Sequence, residues 1–575
     1  MIVVLAFAMA CGGGATATPT TPDATTAPPP TATFPAPETH TPIPAAAETA
    51  TPVAMPEETG MFMLRAPEAD PKYGGLLRTA GLSESAHFDI HQASSYAFIF
   101  PQINRYDQLV RYDPFEIGLS VVIPDLAHSW DISDDELTYT FHLREGVTWH
   151  DGTPFTSADV KATFDRVVDP PQGVVMIRAD LFEAVESITT PDDYTVEFKL
   201  RSPRGFFLNA LALGWSTIEQ KAALEEWNGD LKRARDRPGT GAFKFVSYAP
   251  GEVWVHEKNE DYWNPDLPYV DEINLFVAES DTPTGAIFLA GQADFASSIG
   301  TIAYNEAQNK PGLNVALHPH PMMGAVWINQ EREAWQNPKV RKAMHLVTDY
   351  FAMSDATRDM APLPVEGWLV TADVHWQEYF ETAQNEPGWR RPTDEDIAEA
   401  QRLMAEAGYA DGIKDVDFLV RSSEWMTTMA PLVQRWLKEY LNIDSTIRTQ
   451  PSAVSFEDIH RGEFDITINA TSLNLPIVQS YWAMVFRTDG SQNFGKFSNA
   501  EFDENFQMIL EESDPEKIKE LIYKGVEILD EEVPMLTAVG ISITVGWTDR
   551  LKGADYTLRR SAYENLRFDH VWLDK

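Results

Sequence analysis

The chain has 575 residues, with 45 Lys and Arg against 87 Asp and Glu and a formal charge of −42 at pH 7. That length exceeds what one hydrophobic core serves, so two or three domains are expected. The charge argues against DNA, RNA or an anionic lipid surface as a partner, and fits a soluble protein kept dispersed by self-repulsion.

The one cysteine, Cys11, closes the opening stretch MIVVLAFAMACGGG, so no intrachain disulfide forms. The apolar run Ile2–Met9, followed by small Ala10, reads as a secretory h-region with its cleavage site. Ending it on a cysteine resembles a bacterial lipoprotein signal over residues 1–11, which implies lipidation of Cys11. No Lys or Arg precedes the run and Ala8 stands where Leu is more usual, so a longer signal is expected. Residues 12–71 are rich in Thr, Pro and Ala. They hold too few large apolar side chains to offset their ordering entropy, and read as a disordered, partly polyproline-II tether. At ~3.1 Å per residue, about 55 residues reach at most roughly 170 Å. No later apolar run is long enough to span a bilayer, so the chain is expected to be anchored rather than spanning.

From Tyr73 strands and helices alternate densely, and the fold class reads as α/β with mixed sheets. ELTYTFHLR (Glu136–Arg144) sets Leu137, Tyr139, Phe141 and Leu143 on one face, the period-2 pattern of a half-buried strand. Tyr194–Leu200, Ala242–Tyr248 and Glu252–Lys258 repeat it. A helix is expected from Thr156, with Asp159 as its capping-box partner. Another begins at Asn337 with Pro338 in first position and Val340, Ala343, Met344 and Val347 as its buried stripe. A third opens on Thr393 and stops at Gly408, and MAPLVQRWLKEYL (Met429–Leu441) forms a fourth. FDITI (Phe464–Ile468) is a further strand, followed by the uncharged residues Asn469, Thr471, Ser472 and Asn474.

Two polar motifs invite a chemical reading. His150 and Asp151 in TWHDGTPF read more simply as an Asp-Gly turn. His318 and His320 in HPHP lack the Cys or acidic neighbours of a specific metal site, and no metal or cofactor is expected. No nucleophile elbow, H-E-x-x-H or phosphate-binding glycine loop is present, so no catalytic residue is expected.

The stretch PDLAHSWDISDDELTYTFHLREGVTWHDGTPFTSADVKATFDRV (Pro124–Val167) closely resembles the signature of the family 5 extracellular solute-binding proteins of ABC importers. The resemblance continues through Gly239–Trp263, Leu267–Val277 and Leu289–Ser297, then to the closing DEEVPMLTAVGISITVGWTDRLKG (Asp530–Gly553). It implies a two-lobed, hinged fold of the periplasmic-binding-protein type. Residues 72–325 plus 538–575 would form the first lobe, with a subdomain at about 104–236, and residues 326–537 the second. The chain would cross between lobes near Pro319–Met323 and Met535–Gly540 and close on its ligand by hinge motion.

The same resemblance implies a ligand between the lobes, touched by four segments. Ser95 and Tyr96 represent the first and Trp215, which is equally suited to packing, the second. In the third, Arg421 is suited to hold a carboxylate through its planar fork, and Trp425 to wall the pocket. A surface ion pair is the other reading of Arg421. In the fourth, peptide binders of the family carry an aspartate that holds the peptide's amino terminus. Ungapped counting from Asp465 puts Asn474 there, while a gap of one or two residues would make Asn474 an ordinary turn residue. Asn469, Thr471, Ser472 and Asn474 thus suit amides, hydroxyls or a blocked amine.

These implications together describe a monomeric lipoprotein that captures a peptide or small solute for an ABC permease and its ATPases. An uncharged solute such as an oligosaccharide is the runner-up. A secreted hydrolase or a solute sensor stands further off.

Overall fold

A computed structural model describes residues 70–574 apart from 84, 86, 94–95, 115–120, 358–366, 370–375, 473–474, 476, 513 and 554–566. Cys11 and residues 12–69 of the expected tether lie outside the described residues.

The body opens on β1 (Leu76–Leu82), followed by the antiparallel pair β2 (Val110–Tyr112) and β3 (Val122–Pro124). Next, β4 (Ala127–Ile132), β5 (Thr138–Leu143), β6 (Val185–Asp192) and β7 (Thr195–Leu200) form an antiparallel sheet in the order β4-β5-β7-β6. The alternation read from the sequence is what builds it: Tyr139, Phe141 and Leu143 are buried on β5, as are Val196, Phe198 and Leu200 on β7. The helix Ser157–Val168 starts with the expected capping box, Thr156 with Asp159, and buries Val160, Phe164 and Val167.

The remaining strands are β8 (Phe243–Ala249), β9 (Val253–Lys258), β10 (Glu272–Ala278), β11 (Phe295–Ser297), β12 (Leu313–Ile328), β13 (Val416–Arg421), β14 (Ser445–Gln450), β15 (Ile466–Ser472) and β16 (Met535–Thr548). With β1 they make one mixed sheet of 10 strands, ordered β14-β13-β15-β12-β16-β11-β1-β10-β9-β8. A short pair, β17 (Leu551–Lys552) with β18 (Trp572–Leu573), follows.

At the centre of that sheet β12 and β16 pair antiparallel, from Leu313 opposite Thr548 to Trp327 opposite Met535. The register breaks between Pro319, which pairs with Ser542, and Met323, which pairs with Gly540. Proline offers no N–H to a ladder, and such irregularities bend the strands that carry them. Apolar side chains gather in two main cores on either side of the break. One holds Leu77, Phe141, Trp254 and Phe295 with Ile543 and Val545 of β16. The other holds Trp335, Met344, Phe418 and Ile468 with Leu536 of β16.

Two elements differ from expectation. The helix expected from Met429 begins five residues earlier, spanning Glu424–Leu441 with Pro431 inside it. Its buried Met426, Met429, Ala430 and Val433 continue one apolar stripe through the proline, and that burial outweighs the lost backbone bond. β15 likewise runs to Ser472, because Asn469–Ser472 pair with Met322–Ala325 of β12. Sheet pairing overrides the low strand propensity of Asn469.

The C-terminal segment is pinned by buried charge. Arg567 donates to Asp125 and Asp107, each at 2.6 Å, and Arg111 donates to Asp569 at 2.6 Å. Arg111 and Arg567 hold the Asp569 carboxyl well below its usual range despite burial. Arg567→Met leaves Asp107 and Asp125 without their bridging cation, and unfolding by urea is expected to show a loss of ~3–5 kcal/mol.

Burial also pushes the imidazoles of His256 and His345 down to about 3 and that of His150 down to about 4. Such rings bind protons better once unfolded, where their pKa returns to ~6.5. The stability they carry is full above about pH 6.5 and lost as pH falls toward 4. Urea midpoints at pH 7, 5.5 and 4 should therefore fall in that order; equal midpoints would contradict the assignment.

Candidate ligand-binding site

Alternation along β15 sends its residues to two very different surroundings. Ile466 and Ile468 enter the apolar core, level with Phe418 and Val420 of β13. Thr467, Asn469 and Thr471 occupy the opposite face and are fully buried. Among the described residues, neither amide atom of Asn469 nor the hydroxyl of Thr467 or Thr471 has a hydrogen-bond partner. Thr537 of β16, 1% exposed, is in the same condition. It pairs with Ala325, which pairs in turn with Asn469. Buried polar groups without partners are uncommon in native proteins, and these four residues lie together on one stretch of sheet.

Arg421 ends β13 and is half-buried, with its guanidinium 4.9 Å from the ring centre of Phe456. Its Nε is buried without a partner, and burial alone lowers its pKa. The alternative of a surface ion pair is not found: no described carboxylate bridges it. Trp425 lies in the first turn of the helix that follows and packs, half-buried, against the second core. Ser472 pairs through its backbone with Met322, and its side chain lies outside the described residues. Asn474 lies outside them altogether, so its alignment with the family's aspartate stays open.

The segments on the other side of the register break are held by buried charge. Asp89 is pushed down to about 2, chiefly by the cation of Arg166 working against its burial, and also accepts from Gln92 at 2.8 Å. Ser95 and the side chain of Tyr96 lie outside the described residues; the backbone of Tyr96 starts the short helix Tyr96–Ile99. Trp215 is buried at 3% exposure with the Arg178 guanidinium 3.9 Å above its ring. It lines a cavity of about 20 Å³ with His91, Met176 and Ser216. Arg178 donates to the Ala93 carbonyl at 2.8 Å, so the stack supports the backbone leading to Ser95. His150 is a turn residue as expected: its ring bonds the Gly241 carbonyl, and Asp151 accepts from Thr153.

Residues that sequence reading did not single out join the two cores. Phe206 packs against both. Glu183 takes Arg204 at 3.4 Å from its own neighbourhood and Arg487 at 3.8 Å from across the break. Leu475, seven residues beyond the buried Ile468, packs with the first core rather than the second. Period-2 alternation along Phe464, Ile466 and Ile468 is a signal that sets Thr467 on the opposite face, whereas Thr537 and Phe206 carry none, since their neighbours lie far away in sequence.

Comparison with known proteins now bears on this geometry. The profile described as bacterial extracellular solute-binding proteins, family 5 (middle), matches residues 121–493, more than half of the chain. The chain belongs to this family. Like its other members, it is an extracytoplasmic substrate-binding protein of an ABC importer and not an enzyme. The glutathione-binding protein GsiB of Pectobacterium atrosepticum is 29% identical over 287 residues, which cover 50% of this chain and 53% of that protein. GsiB of Escherichia coli K12 is 24% identical over 437 residues, covering 74% of this chain and 82% of that protein. The solved structure of the periplasmic binding protein DppA from Helicobacter pylori, in complex with peptide STSA, superposes with a TM-score of 0.71 at 22% identity. It covers 88% of this chain and 99% of that one, and shows the same fold.

In this family 5 protein, the Phe206 ring is the apolar contact common to both cores. Phe206→Ala removes the ring that both cores share among the described residues, and it is expected to lower the urea midpoint of unfolding. An unchanged midpoint would show that the ring adds nothing to the packing between them.

Proposed function

We propose that this protein captures a peptide-sized solute between two lobes, residues 72–325 with 538–575 and residues 326–537, and presents it to an ABC permease. The lobes move about the break in the β12–β16 pairing. The observation that carries the reading is Asn469: a fully buried amide with neither atom bonded. Leaving such groups unmet costs ~1–3 kcal/mol each, a cost that a bound solute offering amides or hydroxyls relieves. Asn469, Thr471, Ser472 and Asn474 form the neutral floor on the second lobe, with Arg421 and Trp425 at its edge. Ser95, Tyr96 and Trp215 serve the first lobe, Trp215 by supporting the segment through Arg178. The names of the related proteins, glutathione-binding and peptide-complexed, support a short peptide as the ligand class. The neutral floor favours one without a free amine there, and an uncharged solute is the second reading.

Cys11 carries a lipid anchor in this proposal, and residues 12–71 tether a monomeric body to the outer face of a membrane. Cys11→Ala should release the protein into the soluble fraction, and retention at the membrane would end the anchor reading.

The floor itself is tested by Asn469→Leu. The ligand-free protein should hold or gain stability to urea, because an unmet buried amide is gone. Affinity for short peptides should fall about tenfold or more. Peptides with acetylated amino termini are expected to bind at least as well as free ones by calorimetry. A strong preference for the free amine would sink the case for a neutral floor.

A further inference from the structure

Besides the strand pair β12–β16, a second set of contacts joins the two sides of the register break, and it is built from charge as well as packing. On one side, the end of the β6–β7 ladder brings Glu183 and Arg204 together. Val185 pairs there with Leu200, and the Arg201 N–H donates to the Ala184 carbonyl at 2.7 Å. The Arg201 guanidinium donates to the Glu183 carbonyl at 2.8 Å, so the backbone carrying Glu183 is fixed. On the other side, Arg487 follows the helix Val478–Val485. Its N–H donates to the Trp482 carbonyl at 3.0 Å, and its own carbonyl accepts from Gly490. Trp482 and Phe486 lie in the second core. The two backbones are thus held by different cores, and their side chains meet between them.

Four charges alternate in sign across this meeting point. Glu183 Oε1 takes Arg204 at 3.4 Å from its own side and Arg487 at 3.8 Å from the other, while Arg487 bonds Asp489 of its own side at 2.7 Å. Each member of the crossing pair therefore has a nearer partner at home. If the sides part, Glu183 keeps Arg204 and Arg487 keeps Asp489, so neither is left alone. Packing crosses beside the charges. A Cβ on Gly205 would lie 3.9 Å from the Glu512 carbonyl, and the next residue, Phe206, touches both cores. In a chain of net charge −42, acids that face each other across a gap repel, and a pair of opposite sign offsets that repulsion.

We infer that Glu183 and Arg487 form a charge latch between the proposed lobes, with Arg204 and Asp489 as the partners each keeps when the latch is open. This rests on the two-lobed reading under Proposed function. The latch biases the lobes toward each other whatever solute lies between them.

The test reads the distance between the two sides directly. Cys11 is the single cysteine of the chain. A Cys11→Ala protein carrying Ser187→Cys and Glu504→Cys, both exposed positions, therefore takes one nitroxide label on each side. Pulsed dipolar spectroscopy gives the ratio of short to long distances, without ligand and with trialanine as the probe. Glu183→Gln and Arg487→Gln should each lower that ratio about two- to fivefold, as for a pair open to water, and the double variant no further. Asp489→Asn should raise it, because Arg487 loses its competing partner. At ~1 M salt, where the Debye length is ~3 Å, the ratios with and without Glu183→Gln should coincide. Additive single effects, or a fall with Asp489→Asn, would show a general structural role and overturn the inference. A ratio that trialanine shifts but the variants leave alone would overturn it too, with the two-lobed reading left standing. A distribution that neither trialanine nor any variant moves would remove the hinge motion, and the latch with it.

Discussion

β12 and β16 hold each other along a line that runs through both apolar cores, and every other strand of the large sheet takes its place relative to that pair. β15, β13 and β14 follow outward from β12, while β11, β1, β10, β9 and β8 follow from β16. Ala316 contacts the first core and Val326 belongs to the second, although both lie on one strand. A hydrogen-bonded ladder transmits position well and bends mainly where it is interrupted. The interruption at Pro319–Met323 is where the two proposed lobes would move most cheaply. The contacts of Phe206 and Glu183 across the break add to what the strand pair already holds.

Buried polar groups fall into two kinds, the paired and the unmet. In the first, Asp89, Asp107, Asp125, Glu219 and Asp569 are each met by an arginine. Such networks fix a single packing of irregular segments, and breaking them is expensive. In the second, the far face of β15 leaves amide and hydroxyl groups unmet. Ion pairing is not confined to the first core: Arg341, buried beside the second, is paired with Glu532.

Much of this was legible in the sequence where the physics is local. Period-2 alternation located β5 and β7, and caps located the helices beginning at Ser157, Pro338 and Asp394. The mixed α/β class followed from their alternation. What could not be read depends on partners distant in the chain. Asn469 looks like the start of a loop until β12 pairs with it, and Thr537 is unremarkable until Ala325, between them, sets it in one row with Asn469. The early start of the helix Glu424–Leu441 was hidden by Pro431, which local rules tolerate in a first turn and so place close to the start. Arg421 was ambiguous because an ion pair is a property of neighbours, and the sequence holds acids in such excess that some partner was always imaginable.

That excess has a consequence for timing. A chain of net charge −42 surrounds itself with a negative potential that reaches out roughly a Debye length, ~8 Å at physiological salt. Within that shell an anionic solute is repelled and a cationic one drawn in, and diluting the surrounding salt thickens the shell. Ionic strength around the protein therefore sets how quickly a charged solute arrives, whereas a neutral solute arrives at the same rate in any salt.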